Sequence, residues 1–276
     1  MKEFLLDSTP ILCNIQNPSL KSDIFSMEYP IFALDGKSKA SVLYSYKDIN
    51  IEIEPSLEGR ATIKDKKIII YCLSQIIAKI NYGYAVSDIV HVKAYELLQS
   101  TQNGTSGKHY QNLSLSLRRL AGTRIITNSP LNEETAIHNF SLIDSYKIIG
   151  TKNNALIEIR LSQWLFFSIQ KSNILTLPAT YRDIGRPICI RIYEICRKFC
   201  GHQTSCIIGI KNLKLRLGSK SSLSEFRRQL KQIIIKHKLP GYRIQLVKNN
   251  VHIYNRSKTG NFKLTKDIIS GKVKWG

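Results

Sequence analysis

The chain is poor in carboxylates: 20 Asp and Glu stand against 41 Lys and Arg in 276 residues. In the last third only Asp183, Glu194, Glu225 and Asp267 occur, too few and too scattered for the carboxylate cage of a metal-dependent nuclease. The histidines lack the neighbours that strand-cutting enzymes use. None of His91, His109, His138, His202, His237 and His252 has a second histidine two positions away, as the metal pair of a rolling-circle nuclease requires. None is followed three residues later by arginine, as in a tyrosine recombinase.

Long apolar runs are missing as well. No segment approaches the roughly 18 consecutive apolar residues of a membrane span, and Met1 to Cys13 interrupts its apolar residues with Lys2, Glu3 and Asp7. Neither a transmembrane helix nor a signal peptide is read from it. The six cysteines show no compact disulfide-like spacing, which fits a reducing compartment and places the protein in the cytoplasm. Cys196, Cys200, His202 and Cys206 are zinc-type ligands close together, yet they include no Cys-x-x-Cys pair. Cys196 and Cys200 continue an apolar helical face, so they are read as buried thiols, and no metal or cofactor is expected.

What is present is positive charge on folded sequence. Apolar residues make up 43% of the chain, ample for packed cores. The formal charge is +21, with a sequence pI of about 9.8. From Tyr181 to the end 22 Lys and Arg face four Asp and Glu, a net of +18, while residues 1–180 carry only +3. Charge that merely kept the protein soluble would be spread out. Concentrated in one patterned third, it points to nucleic acid rather than to a membrane surface.

Residues 1–22, with Pro10 and Pro18 among Ser and Asn, read as a flexible leader. Within 23–160, Asn50 to Ile53 reads as a strand. Asp65 is placed to cap a core helix with Ile69, Leu73, Ile76 and Ile80 on one face and Gly83 as its stop. A short strand (Val90–Lys93), a short helix (Ala94–Thr101) and a turn follow. Ser106 then caps a second helix, with Tyr110, Leu113, Leu117 and Leu120 inward, and strands are expected at Thr123–Thr127 and Phe140–Ile149. Gly104-Thr105-Ser106-Gly107-Lys108 falls short of a phosphate loop, which needs Gly at Gln102 and Ser or Thr at His109, and is read as a cap and turn.

The same order returns in 161–256. Trp164–Ile169, capped by Ser162, forms the joining helix; Pro187 opens the next; Cys206–Ile210, Lys211–Leu217 and Ser222–Lys238 read as strand, helix and helix. Tyr242–Lys248 and Val251–Tyr254 alternate as a hairpin around Asn249-Asn250. Residues 257–276 read as a basic tail. The architecture expected is α+β: two tandem winged-helix domains, each a helix-turn-helix plus a β-hairpin, alike in pattern rather than in sequence.

On the Ser222–Lys238 helix the positions opposite the apolar stripe are Ser224, Glu225, Arg228, Lys231 and Gln232, with Arg227 at the edge. Arg can grip guanine, Gln adenine, and Glu can accept from cytosine, each good pair discriminating by about 1–3 kcal/mol. Lys220, Lys236 and Lys238 at the helix ends suit phosphates. The earlier helix offers Lys108, Gln111, Arg118 and Arg119 in a nearly neutral domain, where backbone contacts or a protein partner are expected.

Several ordered motifs carry a family resemblance. They include Ser26-Met27-Glu28 with Pro30 and Phe32, Ala61-Thr62-Ile63 with Asp65-Lys66, Ile70-Tyr71-Cys72 and Ser74-Gln75. The central run Gly104-Thr105-Ser106-Gly107, Tyr110, Leu113, Leu117, Arg119-Leu120, Gly122-Thr123-Arg124-Ile125 is followed by Phe140, Leu142, Ile143 and Asp144. Leu161-Ser162, Trp164-Leu165, Arg191, Tyr193-Glu194, Arg197-Lys198, Cys200-Gly201 and Glu225-Phe226-Arg227-Arg228 extend it. Across residues 23–256 the chain resembles the plasmid replication initiators of the RepA type, replication initiator protein A. The resemblance implies a non-enzymatic protein that binds double-stranded plasmid origin DNA at repeated sites and recruits a host initiator protein and the replicative helicase. It also implies exchange between homodimer and monomer, and repression of its own gene. A winged-helix transcription regulator shares every electrostatic feature and differs only in not opening an origin. An enzyme acting on DNA strands and a sequence-indifferent nucleoid protein are the further alternatives.

Overall fold

A computed structural model describes residues 9–36, 39–101, 104–129, 136–151, 154–236 and 239–273. The chain forms two compact α+β units: Met1–Asp23 with Ile31–Leu177, and Ile24–Pro30 with Pro178–Gly276. The division falls at Leu177/Pro178 instead of the expected 160/161, and a short segment from near the start belongs to the second unit.

In the first unit β1 (Ile11–Leu12) and β2 (Lys21–Asp23) come first; α1 (Ile24–Glu28) then leaves for the second unit. There follow β3 (Val42–Tyr46), β4 (Ile49–Glu54), α2 (Lys66–Asn81), β5 (Ile89–Lys93), α3 (Ala94–Thr101) and α4 (Gly107–Gly122). The unit closes with β6 (Arg124–Thr127), β7 (His138–Ser141), β8 (Ile143–Ile149), β9 (Leu156–Leu161), α5 (Gln163–Gln170) and β10 (Ile174–Thr176). One sheet runs β1-β5-β9-β8, with β1 parallel to β5; an antiparallel sheet runs β3-β4-β6-β7; β2 pairs antiparallel with β10.

Helix α2 is buried over most of its length. Its burial extends past the expected stripe to Ile68, Ile70, Tyr71 and Cys72, and a helix apolar on most sides must be covered on most sides. The leader supplies part of that cover. The Ile15 amide donates to Gln75 Oε1 at 3.0 Å, Gln75 Nε2 donates to the Ile15 carbonyl at 2.9 Å, and the Lys21 amide donates to Ser74 Oγ at 2.9 Å. Residues 9–22 are therefore bound structure where a flexible leader was expected; Met1 to Ser8 lie outside the described residues. The expected strand Phe140–Ile149 is two strands that break at Leu142 and enter different sheets. Ser162 caps α5 as expected, accepting from the Leu165 amide at 3.3 Å. Ser106 precedes α4 without a side-chain cap bond; its hydroxyl meets His109 Nδ1 at 2.7 Å.

The second unit contains α1, a 3-10 turn (Ala179–Asp183), α6 (Pro187–Phe199), β11 (Ser205–Gly209), α7 (Ile210–Arg216), α8 (Leu223–Lys236), β12 (Tyr242–Val247), β13 (Asn250–Asn255) and α9 (Lys258–Ile269). The three strands form an antiparallel sheet in the order β11-β13-β12. Helix α6 starts at Pro187, where a missing N–H is harmless, and every residue from Cys189 to Cys196 is buried. Arg191 lies in that run, fully buried. Its Nη1 donates to the carbonyls of Ser26 (2.7 Å) and Met27 (3.2 Å) and to Glu194 Oε2 (2.5 Å). Its Nη2 donates to the carbonyls of Tyr29 (2.9 Å) and Arg216 (3.0 Å). Glu28 accepts from Arg216 Nη1 at 2.8 Å and pairs with Lys198. Segment 24–30 is thus pinned into the second unit by cations of that unit.

The expected basic tail is helix α9. Ser257 caps it, accepting from the Gly260 amide at 3.2 Å, and Leu264 and Val273 pack with Tyr254 of β13. A methyl group at Gly260 would lie 1.9 Å from the Asn255 carbonyl oxygen, so only glycine permits this approach.

Candidate nucleic-acid interface

The candidate surface is built on α8. Phe226, Leu230 and Ile233 are buried at helical spacing, which fixes the opposite face toward solvent. That face carries Ser224, Arg228, Lys231, Gln232 and Lys236, all exposed. Lys220 stands exposed in the turn between α7 and α8. Lys238 lies outside the described residues.

Two of the expected readers have defined partners. Arg228 Nε and Nη2 form a bidentate pair with the Glu225 carboxylate one turn earlier, both contacts 2.7 Å, and Gln229 Nε2 adds a third donor at 2.8 Å. These donors hold the Glu225 carboxyl down at about 2. Arg228 is thereby aimed, and its guanidinium reaches another acceptor by opening an exposed ion pair, a small penalty in water. Arg227 turns instead to the hairpin: Nη1 donates to the Lys248 carbonyl at 2.5 Å and Nη2 to Asn249 Oδ1 at 2.7 Å. Its role is to position the hairpin tip beside α8.

The hairpin turn is Lys248-Asn249, one residue earlier than expected, because Asn250 pairs with both Val247 and Gly209. Lys248 takes φ +52° at the tip and is exposed. Neither Lys248 nor Lys211, on the exposed side of α7, is marked in the sequence by anything beyond the positive charge of this third. Other cations of the unit serve the fold: Arg191, Lys198 and Arg216 hold segment 24–30, and Lys263 pairs with Asp267 at 2.7 Å.

On α4 the four expected contacts separate. Lys108 and Gln111 are exposed. Arg118, 57% exposed, pairs with Glu58 at 3.2 Å. Arg119 is engaged inside the unit, its Nε and Nη2 donating to the Asp65 carboxylate at 2.8 and 2.7 Å. Asp65 does not cap α2 with its side chain; it also accepts from the Thr62 amide at 2.7 Å and the Thr62 hydroxyl at 2.9 Å. Arg119 is therefore the clamp between the α2 start and α4, in place of the outward contact expected of it.

Cys196 and Cys200 are buried at the end of α6 and Cys206 is half-buried on β11. Among the described residues no group of three or more His, Cys, Asp or Glu could hold a metal ion, and no helix is long and apolar enough to cross a membrane.

The family model described as Replication initiator protein A matches residues 21–244. A protein of Wigglesworthia glossinidia brevipalpis, named "Putative replication protein", is 36% identical over 252 residues, covering 89% of this chain and 90% of that one. Among solved structures, domains 2 and 3 of RctB superpose with a TM-score of 0.61 at 12% identity, over 86% of this chain and 97% of that chain. A second structure of the same RctB domains gives 0.52 at 12% identity, over 87% and 99%. The mixed α+β fold of the chain resembles that of this pair of domains.

Proposed function

Because the chain belongs to the replication initiator protein A family, we propose that it initiates plasmid replication without catalysis, by binding double-stranded origin DNA through its second unit. Both units are read as winged-helix domains. In the second, α7 and α8 form the helix-turn-helix and the β12–β13 hairpin is the wing. Helix α8 enters the major groove, the geometry in which a recognition helix meets base edges, and Lys248 at the wing tip meets the adjoining backbone. The observation that carries this reading is the outer face of α8, where Ser224, Arg228, Lys231, Gln232 and Lys236 stand exposed opposite Phe226, Leu230 and Ile233. The near-neutral first unit, with Lys108 and Gln111 exposed on α4, is the side assigned to a host initiator protein, the replicative helicase or a second copy.

The test is binding to the origin fragment against random duplex at fixed physiological salt. A preference of about a thousandfold or more supports the reading; parity overturns it. Within that assay Arg228→Ala relaxes discrimination at one base pair by about 1–3 kcal/mol. Lys236→Ala weakens all sequences alike and lowers the salt slope by about one. Equal loss on origin and random DNA for Arg228→Ala would remove Arg228 from the reading face.

A further inference from the structure

Helix α9 lies beyond the residues that the family model matches and takes no part in the surface on α8. Its inner side is fixed: Gly260, Leu264 and Asp267 are buried, and Tyr254 Oη donates to Asp267 Oδ2 at 2.9 Å. Its outer side carries Lys258, Phe262 and Lys266, four residues apart and hence on one stripe. Phe262 is 73% exposed, so its ring contributes little to the core. The single carboxylate of the helix, Asp267, faces inward and is neutralised by Lys263, which leaves the outer stripe without a negative charge. Thr204 joins Lys258, Thr259, Phe262, Lys263 and Lys266 around a shallow concavity of about 490 Å³.

A protruding ring between two ammonium groups on a rigid helix matches a particular ligand. Phosphate alone would use the lysines and leave the ring in water. A duplex keeps its base faces stacked against each other. A single strand offers both an unstacked base face and flanking phosphates, and aromatic platforms within positive tracks are how proteins hold it. Lys258 and Lys266 are eight residues apart, about 12 Å along the axis, which lets them engage phosphates on either side of one stacked base.

We propose that the outer face of α9 binds single-stranded DNA, Phe262 stacking on a base while Lys258 and Lys266 hold the neighbouring phosphates. The site uses residues distinct from those of the duplex reading, so the two can fail separately.

The experiment measures fluorescence anisotropy of labelled dT20 and of the origin duplex with the full chain at one salt concentration. Phe262→Ala is expected to weaken dT20 binding by about five- to a hundredfold, the effect of losing one stack, with duplex affinity unchanged within about twofold. Phe262→Tyr, which keeps a ring, should retain dT20. Lys258→Ala with Lys266→Ala should reduce the dT20 salt slope by about 1.4. Arg228→Ala should do the reverse of Phe262→Ala, sparing dT20. Absence of dT20 binding by the parent chain, indifference to Phe262→Ala, or equal loss on dT20 and duplex each overturns the proposal, as does more than tenfold tighter binding to U20, which would make the ligand RNA. Phe262-dependent dT20 binding without any origin preference would leave this site standing and remove the duplex reading alone.

Discussion

Arg191→Ala is expected to lower the stability of the second unit by about 3–5 kcal/mol, the range for breaking a buried ion pair from one side. The guanidinium is fully buried and donates to five acceptors, four of them backbone carbonyls and three of those in residues 26–29. Removing it takes the buried counter-charge from Glu194, which also accepts from the Tyr181 hydroxyl at 2.8 Å, and leaves those carbonyls without the donor they face. Lysine does not substitute, since one ammonium cannot supply the fork that reaches both sides of segment 24–30. In scanning calorimetry the transition of the second unit should fall by more than about 10 °C, while that of the first unit stays. A melting profile within a degree or two of the parent chain would show that the network is dispensable.

Asp65→Ala should destabilise the first unit by about 3 kcal/mol. One carboxylate, 2% exposed in its side chain, satisfies the Thr62 amide, the Thr62 hydroxyl and both arms of the Arg119 fork. Its loss leaves the Arg119 guanidinium, 17% exposed, without its counter-charge where α4 meets the start of α2. Asp65→Asn keeps an acceptor for Thr62 but not the charge, so it should fall between the parent and the alanine variant. Chemical denaturation followed through both units separates the outcomes. If Asp65→Asn and Asp65→Ala unfold at the same denaturant concentration, the hydrogen bonds to Thr62 contribute nothing beyond the ion pair with Arg119.

The surface of α8 was legible in the sequence because its apolar residues recur at helical spacing, which fixes the outward side without knowledge of the neighbours. Arg119 was misread for the converse reason. It occupies a solvent-side position of α4 by periodicity, and only the arrival of Asp65, 54 residues earlier, turns it inward. Helix α9 escaped because its buried side is Gly260, Leu264 and Asp267, one apolar residue among three, so no hydrophobic period announces it. The leader was hidden because its partners Ser74 and Gln75 lie 53 and 60 positions away. Local pattern reports local structure; these contacts are decided by distant chain.

The pinning of residues 24–30 by Arg191 also orders events at the ribosome. The Ser26 carbonyl and the guanidinium that receives it are 165 positions apart, so at ordinary synthesis rates the segment waits on the order of ten seconds for its partner to be made. Throughout that interval Met27, wholly buried in the finished protein, has no home. The second unit cannot complete itself from its own continuous stretch, residues 178–276. It closes only when residues 178–276 take up segment 24–30, which leaves that segment an open thread in the chain made before them.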